Sequence, residues 1–92
     1  MIPTTEKDPN RFIRNMLIKK LADYGDSEDA EKILTSMDSL DVVELAMKLE
    51  HDLEISISDH QVSLMRGLSI DRIADMLVEN YSTQHRVNNG KG

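Results

Sequence analysis

The serine at position 39 is the residue of this chain whose type and surroundings best suit a chemical role. It lies between Asp38 and Leu40, and Asp38 with Asp41 predicts the start of a helix, so its hydroxyl is expected to be exposed. As a nucleophile, Ser39 lacks a neighbouring base and a GxSxG elbow. As the acceptor of a group delivered by another enzyme it is well placed, because free N–H groups at a helix start favour a phosphate. Periodicity alone leaves an ordinary helix cap as the alternative.

The other residue types that carry chemistry form no recognisable site. His51, His60 and His85 are too scattered for an i, i+4 metal pair, and the chain has no cysteine. The four glycines make neither a GxGxxG nor a Walker loop, and the acids lack the spacing of a calcium loop. We therefore expect no metal site and no intrinsic enzyme activity.

Composition and charge narrow the class of protein. The 92 residues are 39% apolar, with one Phe, two Tyr and no Trp, which predicts a single small domain with an aliphatic, helical core. The net charge of −6 at pH 7 argues against nucleic-acid binding and favours basic partners. No apolar run suits a signal peptide or a membrane span, and the missing cysteines predict a cytoplasmic protein. The negative charge also predicts a soluble monomer.

The first third of the chain predicts one helix and a long loop. Asp8 is the expected N-cap, Pro9 the first helical residue and Gly25 a left-handed stop. An acidic, solvated loop is expected to follow as far as Met37, with at most a short turn around residues 30–34. The apolar stripe of this first helix has helical spacing: Phe12, Ile13, Met16, Leu17, Leu21 and Tyr24.

Residues 38–53 carry the clearest helical pattern, with two apolar rows. One row has the spacing of a core stripe, and the second is partly offset from it. The helix thus has more apolar circumference than one core face needs, so we expect another surface to meet it. The core row is Val42, Ala46, Leu49 and Leu53, and the offset row is Leu40, Val43 and Met47.

The last third predicts a short helix and a longer one. Residues 54–59 are interpreted as an extended connector, because no partner strand is evident. A short helix is expected at 60–65, and a main helix from the N-cap Ser69 to Tyr81. Three main helices, one short helix and a long first loop make an all-α bundle. Residues 1–9 are expected to be a flexible lead-in, and residues 82–92 a disordered polar tail.

The sequence from 38 to 59 resembles the acyl carrier protein family. In order, it has Asp-Ser-Leu opening an acidic helix, Glu44 and Met47 on the exposed side, a Leu-Glu pair at 49–50, and a Glu-Ile-Ser-Ile-Ser-Asp connector. A weaker resemblance extends over residues 10–81. It implies a four-helix carrier domain there, with the two termini outside it.

The resemblance also implies a function centred on Ser39. A phosphopantetheinyl transferase would attach 4′-phosphopantetheine from coenzyme A to this serine, and the arm would carry acyl groups as thioesters. Acyl-loading, condensing or acyl-transfer enzymes with basic docking patches would be the partners. Partner recognition is implied for Asp38, Leu40, Asp41, Val43, Glu44, Met47 and Glu50. The acyl pocket and core are implied for Val42, Ala46, Leu49, Ile57 and Ile73.

Several positions depart from the family pattern. Ser36 and Met37 precede Asp38, where the family usually has a glycine two residues before the aspartate, and Ser58 replaces a frequent proline. The first loop is also shorter than usual. These departures favour a specialised discrete carrier over the housekeeping fatty-acid carrier, with fatty-acid, polyketide or other acyl biosynthesis left open. The alternative class is a non-catalytic acidic adaptor that uses the same surface without being modified.

Overall fold

Five α-helices account for most of the residues that the structure, a computed structural model, describes. It describes residues 8–26 and 28–91, with side chains up to residue 85. These residues contain no strand, so the predicted all-α bundle is confirmed. The helices are α1 (Pro9–Leu21), α2 (Ala30–Ser36), α3 (Ser39–Leu53), α4 (Asp59–Met65) and α5 (Ile70–Lys91), and a 3-10 turn (Ala22–Tyr24) follows α1.

The start of α1 agrees with its sequence signals. The Asp8 carboxylate accepts a hydrogen bond from the Arg11 N–H at 3.3 Å, and Pro9 occupies the first turn. Residues 1–7 of the expected lead-in lie outside the described residues. The core that α1 joins is aliphatic: Ile13, Leu17, Leu21, Ile33, Leu34, Met37, Val42, Leu45, Ala46, Leu49, Leu53, Ile55, Ile57, Met65, Ile70, Ile73, Ala74 and Leu77 are buried.

Polar contacts tie α1 to its neighbours at both ends. Arg14 Nη1 lies 3.5 Å from Asp71 Oδ1 at the start of α5. At the other end Lys20 forms an ion pair with Asp52 of α3. The hydrogen bond from Lys20, together with one from His51, lowers the pKa of Asp52. This ion pair joins α1 to α3 near the C-terminus of α3.

The segment after α1 differs from the predicted loop. Gly25 has an extended backbone, with φ of −174°, and is not a left-handed stop. A Cβ at this position would lie 3.2 Å from Ile33 Cγ1, so close packing explains the glycine. The expected acidic loop contains α2, because Asp29 accepts a hydrogen bond from the Glu31 N–H at 3.0 Å and the helix buries Ile33 and Leu34.

The polar composition of residues 82–92 predicted that the last helix would end at Tyr81. In the structure, α5 continues to Lys91. The residues just after Tyr81 contact the connector that follows α3. Gln84 Oε1 accepts from the Ser56 N–H at 2.7 Å, and Gln84 Nε2 donates to the Ser56 carbonyl at 3.0 Å. Residues 82–85 thus belong to the folded domain, whereas polar composition alone indicated a solvated tail.

His85 completes this contact at the end of α3. Its Nε2 lies 3.0 Å from the Leu53 carbonyl oxygen and 2.9 Å from that of Glu54, so a proton on Nε2 is donated there. Its ring stacks on Tyr81 with 4.1 Å between the ring centroids. Glu54 itself has the left-handed φ of 56°, an uncommon conformation for a non-glycine residue. The histidine therefore stabilises an unusual helix end.

We expect His85→Ala to lower the free energy of unfolding by about 1–2 kcal/mol, because the partly buried Leu53 carbonyl loses its donor and the ring stack is removed. Urea unfolding followed by circular dichroism measures this loss. Thr83→Ala is the matched control, since Thr83 is exposed on the same helix turn. Equal stability of the two variants would contradict the contact between α5 and the connector.

Candidate functional site

Ser39 is the first residue of α3 and is exposed. Asp38 precedes it in an extended conformation, and the Asp38 carboxylate accepts a hydrogen bond from the Asp41 N–H at 2.8 Å. The predicted helix start and cap are confirmed, and the cap is Asp38, not Ser39. Within the described part of the chain, the Ser39 hydroxyl makes no hydrogen bond. It is therefore open to a reagent that approaches from solvent.

A groove of about 310 Å³ adjoins Ser39, between α3 and α4. Its walls combine three valines with four polar side chains. Ser63, in the α4 wall, donates its hydroxyl hydrogen to the His60 carbonyl at 2.7 Å. The groove residues are Ser39, Val42, Val43, Asp59, Val62, Ser63 and Arg66. The surface that these side chains expose to the groove is mostly apolar.

The two apolar rows of α3 face in different directions. Leu40 is 78%, Met47 62% and Val43 45% exposed. The residues of the core row, by contrast, are buried. Leu45 is also fully buried, although the sequence analysis assigned it to neither row. Its position three residues after Val42 and four before Leu49 is the helical spacing that could have identified it.

Besides the capping Asp38, two of the acidic side chains assigned to partner recognition have partners within the protein. Glu50 Oε2 accepts a hydrogen bond from the Ile57 N–H at 2.8 Å, so this carboxylate stabilises the connector between α3 and α4. Glu44 Oε1 accepts from the Tyr24 hydroxyl at 2.8 Å. The structure brings Asp38, Asp41 and Glu44 to the exposed face of α3, and it gives Glu50 a structural contact that the sequence did not reveal.

Tyr24, in the 3-10 turn, is a neighbour of this surface that sequence reasoning placed only in the apolar stripe of the first helix. Besides Glu44, it contacts Lys48, whose Nζ lies 4.9 Å from the centre of the tyrosine ring. Burial raises the pKa of the Tyr24 hydroxyl; Lys48 opposes this shift, and the hydrogen bond to Glu44 acts in the same direction as burial. The contact with Tyr24 raises the pKa of Lys48. The phenol is therefore protonated at neutral pH and donates to Glu44.

The five residues assigned to an acyl pocket are all buried: Val42, Ala46, Leu49, Ile57 and Ile73. Only Val42 among them also lines the groove beside Ser39. The other four belong to the buried core and do not line the groove.

Two other kinds of feature are absent from the residues that the structure describes. No three His, Asp or Glu side chains in residues 8–26 and 28–91 come together as metal ligands. Across the same residues, no helix is long and apolar enough to cross a membrane. Comparisons with protein-family models, with curated proteins and with solved structures gave no match.

Proposed function

We propose that this protein is an acyl carrier, with Ser39 as the attachment site of a 4′-phosphopantetheine arm. The observation that carries the proposal is the exposed Ser39 hydroxyl, which has no hydrogen-bond partner among the described residues. It lies at the first residue of an acidic helix, beside a groove and next to an exposed apolar row. The bound arm supplies a terminal thiol, the group that this cysteine-free chain lacks, to hold acyl groups as thioesters.

The chain's own contribution to attachment is presentation of the hydroxyl. Ser39 Oγ forms a bond to the phosphorus of the pantetheine phosphate, and the pyrophosphate bond of coenzyme A breaks to release adenosine 3′,5′-bisphosphate. The hydroxyl proton passes to a base of the transferase, because no base of this chain bonds to Ser39 within the described residues. The first turn of α3 favours the resulting negative phosphodiester through its helix dipole, and Asp38 partly opposes this effect.

The exposed face of α3 serves as the docking surface, which we define as Asp38, Leu40, Asp41, Val43, Glu44 and Met47. Its carboxylates attract a basic patch on a partner enzyme and speed the encounter. Its apolar side chains supply contact area once the partner is bound, since Leu40 and Met47 are largely exposed. The surface lies beside Ser39, so a docked enzyme reaches the hydroxyl or the arm directly.

The test is the intact mass of the protein after incubation with coenzyme A, magnesium and a broad-specificity phosphopantetheinyl transferase. We expect the mass to increase by a single phosphopantetheine. No increase with several transferases, on protein shown to be folded by circular dichroism, would favour the unmodified acidic adaptor that uses the same surface.

We expect Glu44→Lys to slow modification severalfold at low salt and much less at 1 M salt, where the Debye length falls to about 3 Å. The reason is that reversing an exposed charge weakens the attraction of a basic partner. Initial rates of phosphopantetheine transfer at the two ionic strengths give the measurement. Glu79→Lys is the matched control, because Glu79 is an exposed glutamate on α5, which is not part of the docking surface. Equal slowing by both reversals would argue against docking at α3.

A further inference from the structure

Tyr24 contacts two side chains of α3 that are one helical turn apart. Its hydroxyl donates to Glu44 Oε1 at 2.8 Å, and the Lys48 ammonium lies 4.9 Å from its ring centre. Tyr24 is half-buried, so its ring is held against the body of the protein while its hydroxyl reaches the surface. The 3-10 turn after α1 thereby reaches the edge of the docking surface.

Glu44 and Lys48 are spaced for an ion pair with each other. A glutamate four residues before a lysine on a helix is the favoured order for such a pair. Among the described residues, however, Lys48 forms no ion pair with Glu44; it contacts Tyr24. Both charged side chains thus contact the neutral tyrosine, and the attraction between Lys48 and Glu44 acts only at longer range.

We propose that Tyr24 is a positioning residue of the docking surface, which holds Lys48 away from Glu44 and so keeps the Glu44 carboxylate available to a basic partner. This inference rests on the proposed carrier function. It extends the recognition surface from α3 to the 3-10 turn after α1, and it identifies the partner feature concerned as a lysine or arginine that pairs with Glu44.

The chemistry of the phenol suits this role. A tyrosine hydroxyl gives one hydrogen bond and carries no charge, so Glu44 keeps its full negative charge and its remaining lone pairs. The bond also restrains the glutamate side chain, which reduces the conformational entropy that docking must remove. If Lys48 paired with Glu44 instead, its positive charge would cancel the negative charge that attracts the partner.

The test compares Tyr24→Leu, Tyr24→Phe, Lys48→Gln and the double variant Tyr24→Leu/Lys48→Gln as substrates of the phosphopantetheinyl transferase. We expect Tyr24→Leu to raise KM about three- to fivefold with kcat unchanged, the size of an exposed ion-pair interaction. Tyr24→Phe keeps the ring under Lys48, so its KM should stay within about twofold of the wild type. Adding Lys48→Gln to Tyr24→Leu should return KM to the wild-type value. This change in KM should be larger than the change that Lys48→Gln causes in the wild type.

The rescue separates positioning from a merely structural role, because loss of packing at Tyr24 would not be repaired by changing Lys48. Thermal unfolding of every variant checks that each is folded. If Tyr24→Leu lowers the unfolding midpoint, the KM of Tyr24→Phe is the measurement that tests the inference. A severalfold rise in that KM would overturn it. Unchanged KM for Tyr24→Leu, or no rescue, would also overturn it while leaving the carrier function intact. Failure of the wild type to be modified at all would overturn both.

Discussion

Alanine in place of Ser39 should abolish the attachment of phosphopantetheine completely, because the substitution removes the only atom that forms the new phosphodiester bond. The fold should not change, since Ser39 is exposed and its hydroxyl bonds to no described residue, while the helix cap is made by Asp38. Intact mass after transferase treatment gives the answer directly, and circular dichroism checks that the variant is folded.

Ser63→Ala is the matched control for this experiment. Ser63 lines the same groove as Ser39, but its hydroxyl donates to the His60 carbonyl at 2.7 Å. We expect this variant to be fully modified. A mass increase that persists in Ser39→Ala, or is lost only in Ser63→Ala, would move the attachment site away from Ser39.

The second large effect is expected at Leu49. Its side chain is fully buried in the core, so Leu49→Ala should lower the free energy of unfolding by about 2–5 kcal/mol through lost burial and the cavity left behind. Urea unfolding followed by circular dichroism at 222 nm, the helical signal, measures the loss of stability.

Leu40→Ala provides the comparison on the same helix. Leu40 is 78% exposed, so the change in stability should stay within about 0.5 kcal/mol. The same variant should raise KM for the transferase, because Leu40 belongs to the docking surface. A loss below about 1 kcal/mol for Leu49→Ala together with a larger loss for Leu40→Ala would show that the two faces of α3 are reversed.

Much of α3 was predictable from the sequence because its determinants are local. The cap at Asp38 depends on a hydrogen bond to the N–H of Asp41, three residues away. The division into a buried row and an exposed row follows from helical spacing, and the start of α1 follows from Asp8 and Pro9 in the same way. Ser39 could be identified as a candidate because its exposure is a consequence of that same local geometry.

Where the local sequence signals are weaker, the predicted structure differs from the observed one. Helix α2 is only seven residues long, and its acidic composition indicated a solvated loop. It forms because Asp29 caps it and two buried side chains hold it to the core. Gly25 suggested a helix stop by its type alone, whereas the nearby Ile33 side chain is the reason for a glycine there.

The contacts between distant parts of the chain were decided only by the tertiary structure. Tyr24 reaches Glu44, His85 reaches the end of α3, and Glu31 Oε2 accepts from the Ile70 N–H at 2.9 Å. A residue's type shows that it can donate or accept a hydrogen bond, but its partner depends on how the helices pack. The sequence by itself therefore determined the start of α1, helix α3 with its cap Asp38, and the exposed serine. Packing decided which carboxylates of α3 stay available to a partner, because that depends on side chains that only the folded chain brings beside them.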